Sequence, residues 1–148
     1  MDTQERLEVR RWVRKAIALY ESAGKEETLE RIGDREGPFI EGKRYIFALD
    51  PDGNLLAHPY SKQLVGQNLA GLRDSEGRAF IDKLLTTAKK RGYGYTDYNW
   101  QFPDSKEELN KTVFFEQVDG MILCSGFYSV KESPLEAICR CFRYYGPC

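Results

Sequence analysis

Histidine is nearly absent from this chain: among 148 residues there is one, His58, placed in "LLAHPYS" after a short apolar run and before a proline. Several other features are also missing, and each absence narrows the reading. Neither sign of charge dominates, with 22 Lys and Arg against 23 Asp and Glu, so no polyanionic partner is favoured and nucleic acid falls away. Long apolar runs are lacking, the longest being the strand-like piece around "MILC", so no segment reads as a membrane span. The first residues, "MDTQERLEVRRW", carry acids where a secretion signal would need an apolar stretch. A disulfide framework is missing too: of four cysteines only Cys124 lies in the body, while Cys139, Cys141 and Cys148 crowd the tail. With no histidine near them and no second Cys-x-x-Cys, these read as reduced thiols rather than zinc ligands. No glycine-rich phosphate loop follows a strand, and no internal repeat is visible.

What is present has clear periodicity. Val9, Trp12, Val13, Ala16, Ile17 and Tyr20 recur at helical spacing, with Arg10, Arg11, Arg14 and Lys15 on the other side, which predicts a long amphipathic helix. "KEETLERI" predicts a short second helix before the Gly37-Pro38 break. The period then becomes two. In "RYIFALD" Tyr45, Phe47 and Leu49 share one side of a strand and Ile46 and Ala48 the other; Asp50 to Gly53 is a turn, and Asn54 to Ala57 a second strand ending at His58-Pro59. A helix follows from about Ser75 to Arg91, stopped by Gly92. "YGYTDYNW" alternates, so that Thr96, Tyr98 and Trp100 share a face, and "KTVFFEQV" and "MILCSGFY" are joined by the hairpin pair Asp119-Gly120. Ser133-Pro134 opens a short C-terminal helix. This order predicts an α+β domain of PAS-like outline, an antiparallel sheet of about five strands with helices packed on it, spanning residues 1–132, followed by a helical tail at 133–148. A parallel nucleotide-binding sheet would need strands and helices to alternate, and is excluded.

From about Val13 to Tyr128 the sequence resembles the single Cache domains, sensor modules of bacterial chemoreceptors and sensor kinases. The residues that carry the likeness are "YIFALDPDGNLLAHP", "LVGQNL", "RDSEG", "GYGYTDYNWQFP", Lys111 and "SGFY". The resemblance implies a pocket on the sheet face for a small molecule, often a short carboxylate, with no catalysis and no cofactor. A carboxylate leaving water needs donors at its oxygens and apolar walls around its tail. His58, Lys111 and the hydroxyls of Tyr45 and Tyr98 supply candidate donors; Trp100 and Phe47 supply walls. In that role His58 would bind as a cation, and binding would tighten as pH falls through its pKa. Each residue also has a plainer role: a satisfied structural histidine, a solvated lysine opening a strand, aromatics of an ordinary sheet core.

Three departures from the family pattern stand out. Nothing in these residues flanks the domain with a membrane segment or adds an output domain, and the aromatic hydroxyl usual three residues after the strand lysine is Phe114, which bears on ligand preference. A chain that starts at methionine and keeps its thiols unpaired reads most directly as cytoplasmic and free-standing, acting on a separate output protein, the alternative being an extracytoplasmic piece of a membrane receptor. Two other functions compete. One is an enzyme with His58 as base and Cys124 as nucleophile, although a cysteine inside an apolar strand should be inert. The other is an interaction module that forms a homodimer through Trp12 and its neighbours on the first helix, its pocket vestigial.

Overall fold

The computed structural model describes residues 3–101 and 107–129. Two helices lead, α1 (Thr3–Ala23) and α2 (Lys25–Gly33), followed by strands β1 (Ile40–Glu41), β2 (Arg44–Leu49) and β3 (Leu55–Ala57). After a 3-10 turn at Lys62–Leu64 come α3 (Phe80–Arg91) and three long strands, β4 (Tyr93–Gln101), β5 (Glu108–Val118) and β6 (Met121–Ser129). The sheet is antiparallel in the order β1-β2-β6-β5-β4, with β3 paired to β2. The α+β class, the long first helix and the helical insertion are as the sequence predicts; the predicted C-terminal helix, with Cys139, Cys141 and Cys148, lies outside the described residues.

Strand alternation divides the core into two layers. Ile46, Ala48, Phe114, Leu123 and Phe127 face α1 and α2, packing on Val9, Trp12, Val13, Ala16 and Ile32. Tyr45, Phe47, Leu49, Val113, Phe115 and Cys124 face the other way, toward α3 and the segment that follows β3. Trp12 is 8% exposed and its helical neighbours Val9, Val13 and Ala16 are fully buried, so the apolar face of α1 is taken up by its own sheet. The dimer face expected through Trp12 is therefore corrected: that surface is interior.

Two boundaries differ from the sequence reading. The third helix begins at Phe80, not near Ser75, because Asp74 holds 74–78 in a turn. Its carboxylate accepts the N–H groups of Glu76, Arg78 and Asn99 and the Arg78 guanidinium, and Gly77 sits at φ 80. Burial opposes the Asp74 charge, yet those N–H groups and Arg78 hold its carboxyl down at about 2. Strand β5 starts three residues before Lys111, since it pairs with both neighbours along its length. Lys111 is thus inside a central strand rather than at its solvated entrance. At the β2–β3 turn, Gly53 has φ 95 and a Cβ there would stand 3.1 Å from both Ala70 Cβ and Leu85 Cδ1, so only glycine lets this turn dock on α3.

Candidate functional site

Register brings the candidate residues together. Tyr98 on β4 lies directly opposite Lys111 on β5, and Lys111 directly opposite Tyr128 on β6, so the three form one row across the sheet. The lysine then reaches past its neighbour. Its stem crosses β6 at Gly126, where a Cβ would come within 2.8 Å of Lys111 Cε and 2.7 Å of the Thr112 carbonyl, and its Nζ ends 2.8 Å from the Tyr45 hydroxyl on β2. The absence of a side chain at position 126 opens that path.

Lys111 is 1% exposed and sits in an aromatic enclosure, its Nζ 4.3 Å from the ring centre of Tyr45, 4.9 Å from Phe47, 5.4 Å from Tyr128 and 5.9 Å from Tyr98. Among the described residues no carboxylate pairs with it. Burial lowers its pKa to about 7, because a desolvated ammonium without a counter-ion gives up its proton more readily.

His58 is also buried, packed on Tyr45 and Phe47 at ring separations of 4.8 and 5.5 Å. Its Nδ1 accepts the backbone N–H groups of Tyr60 and Ser61 at 3.1 and 2.8 Å, so the ring proton is on Nε2, which bonds no described residue. Pro59 supports this geometry by bending the chain so that the next two N–H groups turn back onto the ring. Burial, and secondarily the charge of Lys111, bring the His58 pKa down to about 3. The expectation of a cationic His58 is therefore corrected: the imidazole is neutral throughout the physiological range and offers a neutral N–H donor.

Tyr98 is fully enclosed, stacked on Phe80 at 4.0 Å with 15° between the rings, and Trp100 stands edge-on to both. Together with Phe47, Leu55, Leu64, Leu69, Ile81, His58 and Lys111 these rings enclose an inner hollow of about 20 Å³, room for one water-sized group. His58, Leu64, Leu69 and Trp100 also wall an outer cleft of about 920 Å³ that opens to the surface. All six residues singled out in the sequence, His58, Lys111, Tyr98, Trp100, Tyr45 and Phe47, border this region. The hydroxyl nearest the lysine is that of Tyr45.

Two readings do not survive the geometry. Phe114 is an odd number of residues from Lys111 and so points to the α1 side, where Tyr95 packs on it at 5.1 Å; it touches neither cavity and does not bear on the ligand. Cys124 is fully buried, and burial pushes its thiol far above the ordinary range, so it is no nucleophile. The sequence reading missed Gly126 and Tyr128 as site residues, although "SGFY" places both at even spacing on one strand face.

Comparison with known proteins fits this geometry. A family model described as Single Cache domain 2 matches residues 14–129. The chain belongs to that family. Single Cache domains are non-catalytic sensor modules of chemoreceptors and histidine kinases. The sensor histidine kinase MctS of Rhizobium johnstonii is 36% identical over 75 residues, which is 51% of this chain and 16% of the kinase. The periplasmic sensor domain of a chemotaxis protein superposes with a TM-score of 0.68 at 27% identity, covering 82% of this chain and 88% of that one. A Cache chemosensory domain shares the fold with a TM-score of 0.71 at 22% identity, over 86% and 92% of the two chains. No helix among the described residues is long and apolar enough to cross a membrane. The periplasmic setting of the chemotaxis relative fits the extracytoplasmic alternative rather than the cytoplasmic one.

Proposed function

We propose that this Single Cache domain senses a short-chain carboxylate, held by Lys111, His58, Tyr98 and Tyr45 between the walls of Phe47 and Trp100, and that it works outside the cytoplasm as the input of a larger receptor. The observation that carries the reading is the buried ammonium of Lys111 with no carboxylate partner among the described residues. An uncompensated buried cation is costly, and a ligand anion removes that cost. The Nε2–H of His58 adds a second donor without an acceptor among the described residues, and the enclosing aromatics suit a short apolar tail. One carboxylate oxygen enters the inner hollow, the rest of the ligand lying toward Trp100 and the outer cleft. A Cache chemosensory domain of this fold recognises carboxylic acids, which supports the same class. Charge-assisted bonds contribute roughly 1.5–3 kcal/mol each, and after ordering costs two or three of them give micromolar to millimolar affinity.

Thermal unfolding with a panel of short carboxylates, amino acids and amines tests the assignment. Monocarboxylates raise the melting temperature in proportion to the logarithm of concentration, and amines do not. A shift with amines alone, or with no compound, overturns it.

A further inference from the structure

The hydroxyl of Tyr45 has one proton and two demands on it. In its charged form Lys111 Nζ can only donate, and it approaches Tyr45 Oη at 2.8 Å. The Tyr45 and Tyr128 hydroxyls are 3.1 Å apart, and the Tyr128 hydroxyl donates to the backbone carbonyl of Gln101 at 3.1 Å. With the lysine charged, these bonds are all satisfied when Lys111 donates to Tyr45, Tyr45 to Tyr128, and Tyr128 to Gln101. The chain of bonds leads from Lys111 in the wall of the hollow to the last residue of β4 and to the end of β6, one residue before Ser129. In this arrangement the Tyr45 hydroxyl, the only one among the described residues that the ammonium bonds, has its proton committed to Tyr128.

From this geometry we infer that Tyr128 is a positioning residue for the ligand: it holds the Tyr45 proton until an anion enters, and surrendering that proton carries ligand occupancy to the ends of β4 and β6. The inference rests on the carboxylate reading of the site. A carboxylate presents two acceptor oxygens, so one bound to the Lys111 ammonium leaves the other within reach of Tyr45, and as an acceptor with full charge it outcompetes a phenol oxygen for the Tyr45 proton. Tyr128 then loses the bond that ties it to β2, keeping its own bond to Gln101. A ligand shifts a conformational equilibrium only through such a difference between two bonded states. Here the difference is one hydrogen bond between β2 and β6, next to Ser129, the last residue of β6.

Acetate binding by calorimetry to the wild type, Tyr128→Phe, Tyr45→Phe, the double variant and Lys111→Met tests this. Without Tyr128 the Tyr45 proton has no competing acceptor, so Tyr128→Phe binds acetate about 2- to 10-fold tighter, the worth of one net hydrogen bond. That gain vanishes in the Tyr45→Phe background, which a merely structural role for Tyr128 does not predict. Unchanged or weaker binding by Tyr128→Phe overturns the inference. If that variant does not fold, the Cζ resonance of Tyr128 in the wild type answers the same question: it moves on saturation with acetate, and a fixed resonance overturns the inference. Acetate binding to Lys111→Met with wild-type affinity, or no binding to the wild type, overturns the carboxylate reading and with it the role of Tyr128.

Discussion

The two faces of the sheet are built on opposite principles. On the α1 side the buried groups are apolar apart from the neutral hydroxyls of Thr28, Thr112 and Ser125, and charge stays at the edge: Arg10 lies 5.6 Å over the Phe114 ring, Arg6 4.5 Å over Tyr95, and Arg44 stands between Glu8 and Trp12 at 3.8 and 5.7 Å. On the α3 side an ammonium, an imidazole and three phenols lie within the core layer, with a hollow and an open cleft beside them. The same strands make both faces, since alternate residues of β5 point each way. A sheet of this kind lets one side secure the fold while the other keeps polar groups in a desolvated site at a cost in stability.

The largest effect that separates the faces is on the α1 side. Phe114→Ala removes a fully buried ring and costs about 3–5 kcal/mol by chemical denaturation, yet leaves carboxylate affinity within twofold. A tenfold loss of affinity in a folded Phe114→Ala protein would break the comparison. On the other side the sign reverses. Lys111→Met removes a buried unpaired cation and stabilises the ligand-free domain by about 1–3 kcal/mol at pH 7 while abolishing its response to carboxylates. Because the folded-state pKa of Lys111 is lowered to about 7 from 10.5, its protonation penalises folding in full below pH 7, and the penalty fades as pH rises toward 10.5. The advantage of Lys111→Met is accordingly greatest at or below neutral pH and shrinks by pH 10; a constant difference would contradict the burial argument. A smaller change sharpens the picture further. Gly126→Ala places a methyl group against Lys111 Cε and the Thr112 carbonyl, costs about 1–3 kcal/mol, and weakens carboxylate binding by displacing the ammonium.

Much of this arrangement can be read from local sequence. Alternation in "RYIFALD" and "YGYTDYNW" places Tyr45 with Phe47 and Tyr98 with Trp100, and Asp119-Gly120 marks the β5–β6 hairpin. What cannot be read locally depends on distant partners. The start of α3 depends on Asn99 donating its N–H to Asp74 across 25 residues, and the burial of Lys111 depends on pairing with strands on both sides. A lysine in an alternating strand looks the same whether its face meets water or a core. The protonation of His58 is likewise set by two N–H groups folded back onto Nδ1 and by burial, neither visible in residue type. Phe114 is the opposite case: its odd spacing from Lys111 already places it on the other face.

Proton uptake on carboxylate binding is the most direct test of the central claim, that Lys111 is a buried amine whose charged form lacks an anion until the ligand supplies one. Calorimetry at pH 8 in buffers of different ionisation enthalpy measures it. With a ligand-free pKa of about 7 the lysine is mostly neutral at pH 8, and an anion at its Nζ raises that pKa, so most of one proton is taken up per ligand bound and affinity falls as pH rises above 7. His58, held neutral with a pKa of about 3, contributes nothing to this uptake. Binding without proton exchange, or affinity that is flat from pH 6 to 9, would contradict the account.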